Sequence, residues 1–240
     1  MAQTHGEFWY PQYFTAATKL LTMFVSSNDP NTGAAPTSID QGRQNFDANL
    51  DTLSRIFSRR RKLTNIVRAM SNGTSRLALC SVMSVIEPQL VPITSGMITV
   101  ELTIPDGFWR DAADTTLATL AAAFSGRVTA LDTATAPMND LEFDIVGPVT
   151  NPRITDNESG SWVQYTGTVS AGNTLKIVNS SMSISGVGFT PSIINMTHAG
   201  DSNWLTLYPT APNGVNITFG GSGTTGATQL QIIGHKKFMR

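Results

Sequence analysis

Few residues in this chain have the types and spacing that do chemistry. The three histidines, His5, His198 and His235, lie far apart in sequence. Asp201 is near His198, but one such pair makes neither a metal-ligand set nor a nucleophile–base–carboxylate triad. Asp111 and Asp114 read as solvated loop carboxylates. Cys80 is the single cysteine, so no internal disulfide is possible. Its neighbours Leu77, Leu79 and Val82 mark a buried strand thiol rather than a reactive one. No catalytic residue, metal site or cofactor is expected.

What remains are residues suited to contact. Arg59, Arg60, Arg61 and Lys62 form the one dense charge run, with Arg55 just before it. The run suits an electrostatic patch for another subunit or an acidic partner. It equally suits a solvated helix end, where cations meet the last carbonyls. Asp47 and Asp51 lie earlier on the same expected helix and could pair with a neighbour's arginines. Phe8, Trp9 and Tyr10, followed by Tyr13 and Phe14, make an aromatic cluster in a polar arm. Such a cluster can anchor an interface or pack on the chain's own core. Trp162, Tyr165, Trp204 and Tyr208 could present rings to a glycan or partner, but their alternation also fits ordinary sandwich packing.

The elements that would position these residues follow from composition and pattern. The chain has 240 residues, 40% of them apolar, enough for one large or two small cores. Charged residues make up 14%, against about 25% in an average globular chain, and Ser, Thr, Asn and Gly take their place. Net charge is −1, so no global basic excess argues for nucleic-acid binding. The opening Met1–Gly6 is polar and no apolar run is long enough to cross a membrane, so a soluble protein made in a cytoplasm is expected. The Asn-x-Ser/Thr matches at Asn72, Asn157, Asn179, Asn195 and Asn216 follow from composition.

Lys19–Ser26 is a short apolar run. The clearest helix spans residues 40–58, with Phe46, Leu50, Leu53 and Phe57 on one face and Ser38 or Asp40 as cap. Strand patterns resume at Leu63–Met70, Arg76–Ile86 and Met97–Ile104, the first two joined at Asn72-Gly73. Asp114–Phe124 is Ala-rich and predicts a short helix, and Thr129–Asp140 reads as a linker or crossover. From Leu141 onward short strands alternate with turns at sandwich spacing. In Gly147–Ile177, a turn-rich Asn-Pro-Arg-Ile segment precedes two strand patterns, Trp162–Val169 and Thr174–Val178, around a Gly172-Asn173 turn.

Taken together, these phrases resemble the distal tail proteins of siphophages, from about residue 14 to the end. In the first half the matching phrases are FDANLDTLSRIF, the basic run, LTNIVRAM and IPDGFWRD. In the second half they are DLEFDIVGPVTNPRIT, WVQYTGTVSAGNTLKI, SNWLTLYP and VNITF. The chain differs in its shorter opening before the helix and its longer Pro-Thr-Ala-Pro-Asn-Gly hairpin. The resemblance implies a mainly β, α+β fold. Residues 1–110 would form an N-terminal β-sandwich-like, ring-forming domain with one helix, and 111–140 a linker with a short helix. Residues 141–240 would form a C-terminal galectin-like antiparallel β-sandwich.

It further implies a non-enzymatic virion component at the phage tail tip, assembled in the host cytoplasm. The implied assembly is a homo-oligomeric ring, usually a hexamer, between the tail tube protein and the tail-tip hub or tail-associated lysin. Receptor-binding proteins would dock outside it and DNA would pass through without specific binding. No membrane contact is implied. A carbohydrate-binding module on the virion, or another minor tail protein, is the alternative reading.

Overall fold

The computed structural model describes residues 16–58, 63–83, 89–91, 95–199, 204–210 and 214–239. Two compact units divide the chain. One holds residues up to Val67 together with Ala78–Gly107; the other holds Arg68–Leu77 and Phe108–Arg240.

The first unit is built on a long antiparallel ribbon. β1 (Ala17–Val25) precedes helix α1 (Ile39–Phe57), and β2 (Thr64–Ala69) and β3 (Ser75–Val82) follow it. β4 (Gln89–Val91) and β5 (Ser95–Ile104) complete the unit, and β1 pairs with β5 from Ala17↔Ile104 to Val25↔Gly96. Alternation along β5 is strict: Ile98, Val100, Leu102 and Ile104 are buried, while Met97 and Thr99 face outward. Helix α1 begins as its residues dictate. Ser38 Oγ accepts the Gln41 N–H at 3.2 Å, and Gln41 Oε1 accepts the Thr37 N–H at 2.8 Å. Phe46 is buried, and Asn45 and Asn49 fasten the helix by donating to the Ser27, Ser26 and Asn28 carbonyls. The Cys80 thiol is buried, donates to the Thr64 carbonyl at 3.3 Å, and has its pKa pushed up by burial.

The second unit takes the front of β3 and then β6 (Trp109–Asp111), β7 (Thr115–Ala121), β8 (Phe124–Val128) and β9 (Glu142–Val146). There follow β10 (Val149–Asp156), β11 (Trp162–Tyr165), β12 (Thr168–Val169), β13 (Thr174–Val178) and β14 (Ser183–Val187). β15 (Met196–Ala199), β16 (Val215–Ser222), β17 (Gln229–Gly234) and β18 (Lys237–Phe238) close the chain. Among the described residues the pairings within this unit are antiparallel. One sheet runs β15-β11-β10-β16-β8, with β12 on β10; the other runs β14-β13-β9-β17-β7. Phe143, Ile145, Ile177 and Ile232 from one sheet share a core with Ile154, Val163, Ile217 and Phe219 from the other. Each such side chain contributes roughly 1.5–3 kcal/mol by leaving water. The molecule is thus a mainly β, α+β protein with sandwich architecture.

Three expectations need correction. Asp114–Phe124 is not a helix: its Thr-rich half is β7, paired with β17, and a turn through Ala123 at φ 57 leads into β8. Cross-strand pairing outweighs the helix propensity of its alanines. Residues 111–140 are therefore no linker, since they supply two strands, and Leu131, Ala136 and Met138 are fully buried. The Asn-Pro-Arg-Ile segment lies in the middle of β10, not in a turn. A bulge at Asn151, φ 52, shifts the register between Thr150 and Arg153, and Pro152 sits within it.

The Gly172-Asn173 turn joins the two sheets rather than two paired strands: β12 belongs to one and β13 to the other. Gly147 permits this crossing, because any side chain there would run into the Val169 and Ser170 carbonyls.

Candidate functional site

On the first unit, the outward face of the β1–β5 ribbon is unusually apolar at one end. Leu20 is 71% exposed opposite Glu101, and Phe24 is 70% exposed opposite Met97. Between them the Thr22 and Thr99 hydroxyls meet at 3.2 Å. α1 presents Asp47, Asp51 and Arg55 to solvent, and Ile39 and Ile56 are also exposed. The remaining interface candidates, Arg59, Arg60, Arg61, Lys62, Phe8, Trp9 and Tyr10, lie outside the described residues.

The aromatic candidates of the second unit separate. Tyr165 and Trp204 are buried in the shared core, so neither ring is offered to a ligand. Trp162 is half-buried on the outer face of its sheet, under the Arg153 guanidinium at 4.2 Å from ring centroid. Tyr208 is half-buried, and its N–H donates to Asp156 at 3.4 Å. Asp156 is buried and also accepts from the Ser159 N–H and hydroxyl at 2.8 and 2.7 Å; burial pushes its carboxyl up. The sequence reading missed Arg153. Its signal was the alternation Arg153-Ile154-Thr155, which places Arg and Thr on the side away from the core.

Charge on the other sheet converges on one lysine. Lys176 Nζ lies 2.9 Å from Glu142 and 2.7 Å from Asp144. The bond from Lys176 holds the Glu142 carboxyl below its usual value, and bonds to Asp144 and Glu142 raise Lys176. Asp144 is pushed up instead, because burial costs its charge more than Lys176 returns, and its Oδ1 has no hydrogen-bond partner. Glu142 therefore stabilises the fold above its ordinary pKa, about 4.5, and loses this as pH falls through the lowered folded value. Lys176 stabilises below about 10.5 and loses this as pH rises through its raised value. Asp144 opposes both, since its burial penalty is relieved as pH falls through its raised value. Lys176→Gln is expected to lower the melting temperature most between about pH 5 and pH 10, the gap narrowing on either side. Melting curves across pH check this; a gap independent of pH would assign Lys176 a packing role alone.

Asp114 is solvated, its side chain 71% exposed, and it also meets His235 Nε2 at 2.8 Å; His235 Nδ1 is buried without a partner. No group of three or more His, Cys, Asp or Glu able to hold a metal ion occurs among the described residues. None of their helices is long and apolar enough to cross a membrane.

These features define a class: a two-unit, β-rich protein whose distinctive surfaces are an apolar ribbon face, an exposed helix and a polar sheet face. No protein-family model and no curated protein matches the chain. Among solved structures it is similar to the Dit protein of SPP1, described as a paradigm of the hub adsorption apparatus in phages that infect Gram-positive bacteria. The TM-score is 0.57 at 11% identity, covering 92% of this chain and 79% of that one. At that identity the likeness is one of fold.

Proposed function

We propose that this chain is a structural, non-enzymatic protein of a tailed-phage virion, forming a distal-tail ring between the tail tube and the tip. The observation that carries the reading is the likeness to Dit over 92% of the chain, which takes in both units rather than one common sandwich. The order of phrases in the sequence supports it independently. In this reading copies of the first unit close the ring, usually six, around a channel that passes DNA. The second unit, a galectin-like sandwich, faces outward toward receptor-binding proteins, and the hub or tail-associated lysin sits on the far face.

The contact between copies would use α1 with Asp47, Asp51 and Arg55, the basic run, the N-terminal aromatics, and the exposed Leu20–Phe24 face. Aromatic and arginine anchors of this kind dominate interface energies. Sedimentation velocity tests the assignment. The unmodified chain is expected to sediment as a multi-subunit species and Phe24→Asp as a smaller one, with unchanged circular dichroism. Equal sedimentation of the two as the same large species would remove Phe24 from the interface.

A further inference from the structure

Among the described residues one lysine is fully buried, Lys237 of β18. Its Nζ donates to Asn139 Oδ1 at 2.8 Å and lies 3.3 Å from Asp140 Oδ2. A C=O bond is only about 1.2 Å long, so Asn139 Cγ stands within about 4 Å of that nitrogen. An amine, an amide carbon and a carboxylate therefore meet in one place. They are a nucleophile, an electrophile with a leaving group, and a group able to carry a proton. Lys176, by contrast, is a third exposed and meets two carboxylates.

Both partners are fixed by their backbones. The Lys237 carbonyl accepts the Thr135 and Ala136 N–H groups at 3.0 and 3.2 Å. Met138 and Leu207 exchange N–H···O bonds at 3.0 Å, and Asn179 Nδ2 donates to the Asn139 carbonyl at 2.7 Å. Met138 and Leu141, on either side of the Asn139-Asp140 pair, are fully buried. Such fixed juxtaposition turns an encounter between two groups into a unimolecular step. Asn139 is half-buried, which gives a leaving group a route to solvent. Asp140 Oδ1 is buried without a hydrogen-bond partner, so it can take up a proton without breaking another bond.

We propose that Lys237 and Asn139 join in an intramolecular isopeptide bond, with Asp140 as the proton carrier. Asp140 takes one proton from the Lys237 ammonium, and the freed Nζ lone pair attacks Asn139 Cγ. Asp140 passes that proton to Nδ2 as the Cγ–Nδ2 bond breaks, then takes a second from Nζ as the new C–N bond becomes an amide. The departing ammonia carries the second proton away as ammonium. The lysine charge leaves with it, Asp140 ends as it began, and nothing is oxidised or reduced. The ammonium must first give up its ion pair and an amide is a weak electrophile, so the step is slow against folding. The ion pair is what folding assembles, and the bond accumulates from it. It would link positions 98 residues apart, in a chain whose single cysteine permits no internal disulfide. The reaction does not depend on the ring assembly of the preceding section.

Mass spectrometry of the denatured full chain, freshly purified and after days at neutral pH, tests it. The expected result is a growing species lighter than the sequence mass by one ammonia. Its tryptic digest is expected to hold a branched peptide joining the segments that carry Asn139 and Lys237. The melting temperature is expected to rise with the lighter fraction, because the new loop constrains the unfolded chain. Lys237→Arg and Asp140→Ala are expected to keep the full mass. An unmodified chain that keeps its full mass throughout would overturn the proposal, whether or not the variants fold. So would loss of ammonia without the branched peptide, which ring closure at Asn72-Gly73 would also produce. An equal yield of the bond in Asp140→Ala would overturn the proton-carrier role.

Discussion

Lys237→Ala is expected to destabilise the second unit by about 3 kcal/mol or more, the loss seen when a buried ion pair loses one partner. Lys237 is 1% exposed. Its ammonium donates to Asn139 Oδ1 at 2.8 Å and pairs with Asp140 Oδ2 at 3.3 Å. The other Asp140 oxygen is buried without a hydrogen-bond partner, so the carboxylate depends on this lysine for its compensation. The strand it belongs to matters as well: the Lys237 carbonyl accepts from the Thr135 and Ala136 N–H groups, tying β18 to the buried crossover. Pairing Lys237→Met with Asp140→Leu removes both charges and is expected to recover much of the loss. Urea unfolding followed by tryptophan fluorescence reads the effect. A loss under about 1 kcal/mol for the single variant would mean the pair behaves as an exposed one.

Asn179→Ala is expected to cost about 2–4 kcal/mol, since it leaves several buried polar groups without partners. Asn179 is 1% exposed at the end of β13. Its Oδ1 accepts the Leu205 N–H at 2.9 Å, and its Nδ2 donates to the Asn139 and Leu205 carbonyls. One amide thus joins three segments distant in sequence. Asn179→Asp keeps the acceptor but turns a carboxylate toward two carbonyl oxygens. Burial and these neighbours would raise its folded pKa, so this variant is expected to gain stability as pH falls from 7 toward 4, measured by thermal melting. No such gain would contradict the assignment of the amide donors. Because Asn139 serves both Lys237 and Asn179, the two alanine variants are expected to combine non-additively.

Neither site was legible in the sequence, and the reason is physical. Lys237, Asn139 and Asn179 meet only after β9, β13 and the C-terminal strands pair, and no local pattern encodes those long-range pairings. Local signals did well where the period is set by one element. The Phe46 face of α1, its Ser38 cap and the alternation of β5 follow directly from residue type. They failed where tertiary pairing competes with propensity. Alanines in β7 imitated a helix, and Asn151-Pro152 imitated a turn although the bulge makes room for it inside β10. The same limit governs the candidate site. Tyr165 and Trp162 are three residues apart on one strand, yet one enters the core and the other carries Arg153. Alternation along β11 puts them on opposite faces, but only the register of β10 against β11 sets Arg153 beside Trp162. The overall order of elements was readable because it is written along the chain.

The central claim is assembly, and mass photometry of the purified full chain across a range of concentrations tests it most directly. The expected result is one discrete species at six times the 25.7 kDa subunit mass, the usual ring copy number, appearing as closed rings when the same sample is imaged by negative-stain electron microscopy. A chain that stays at the single-subunit mass at the highest concentration, with no rings on the grid, would contradict it.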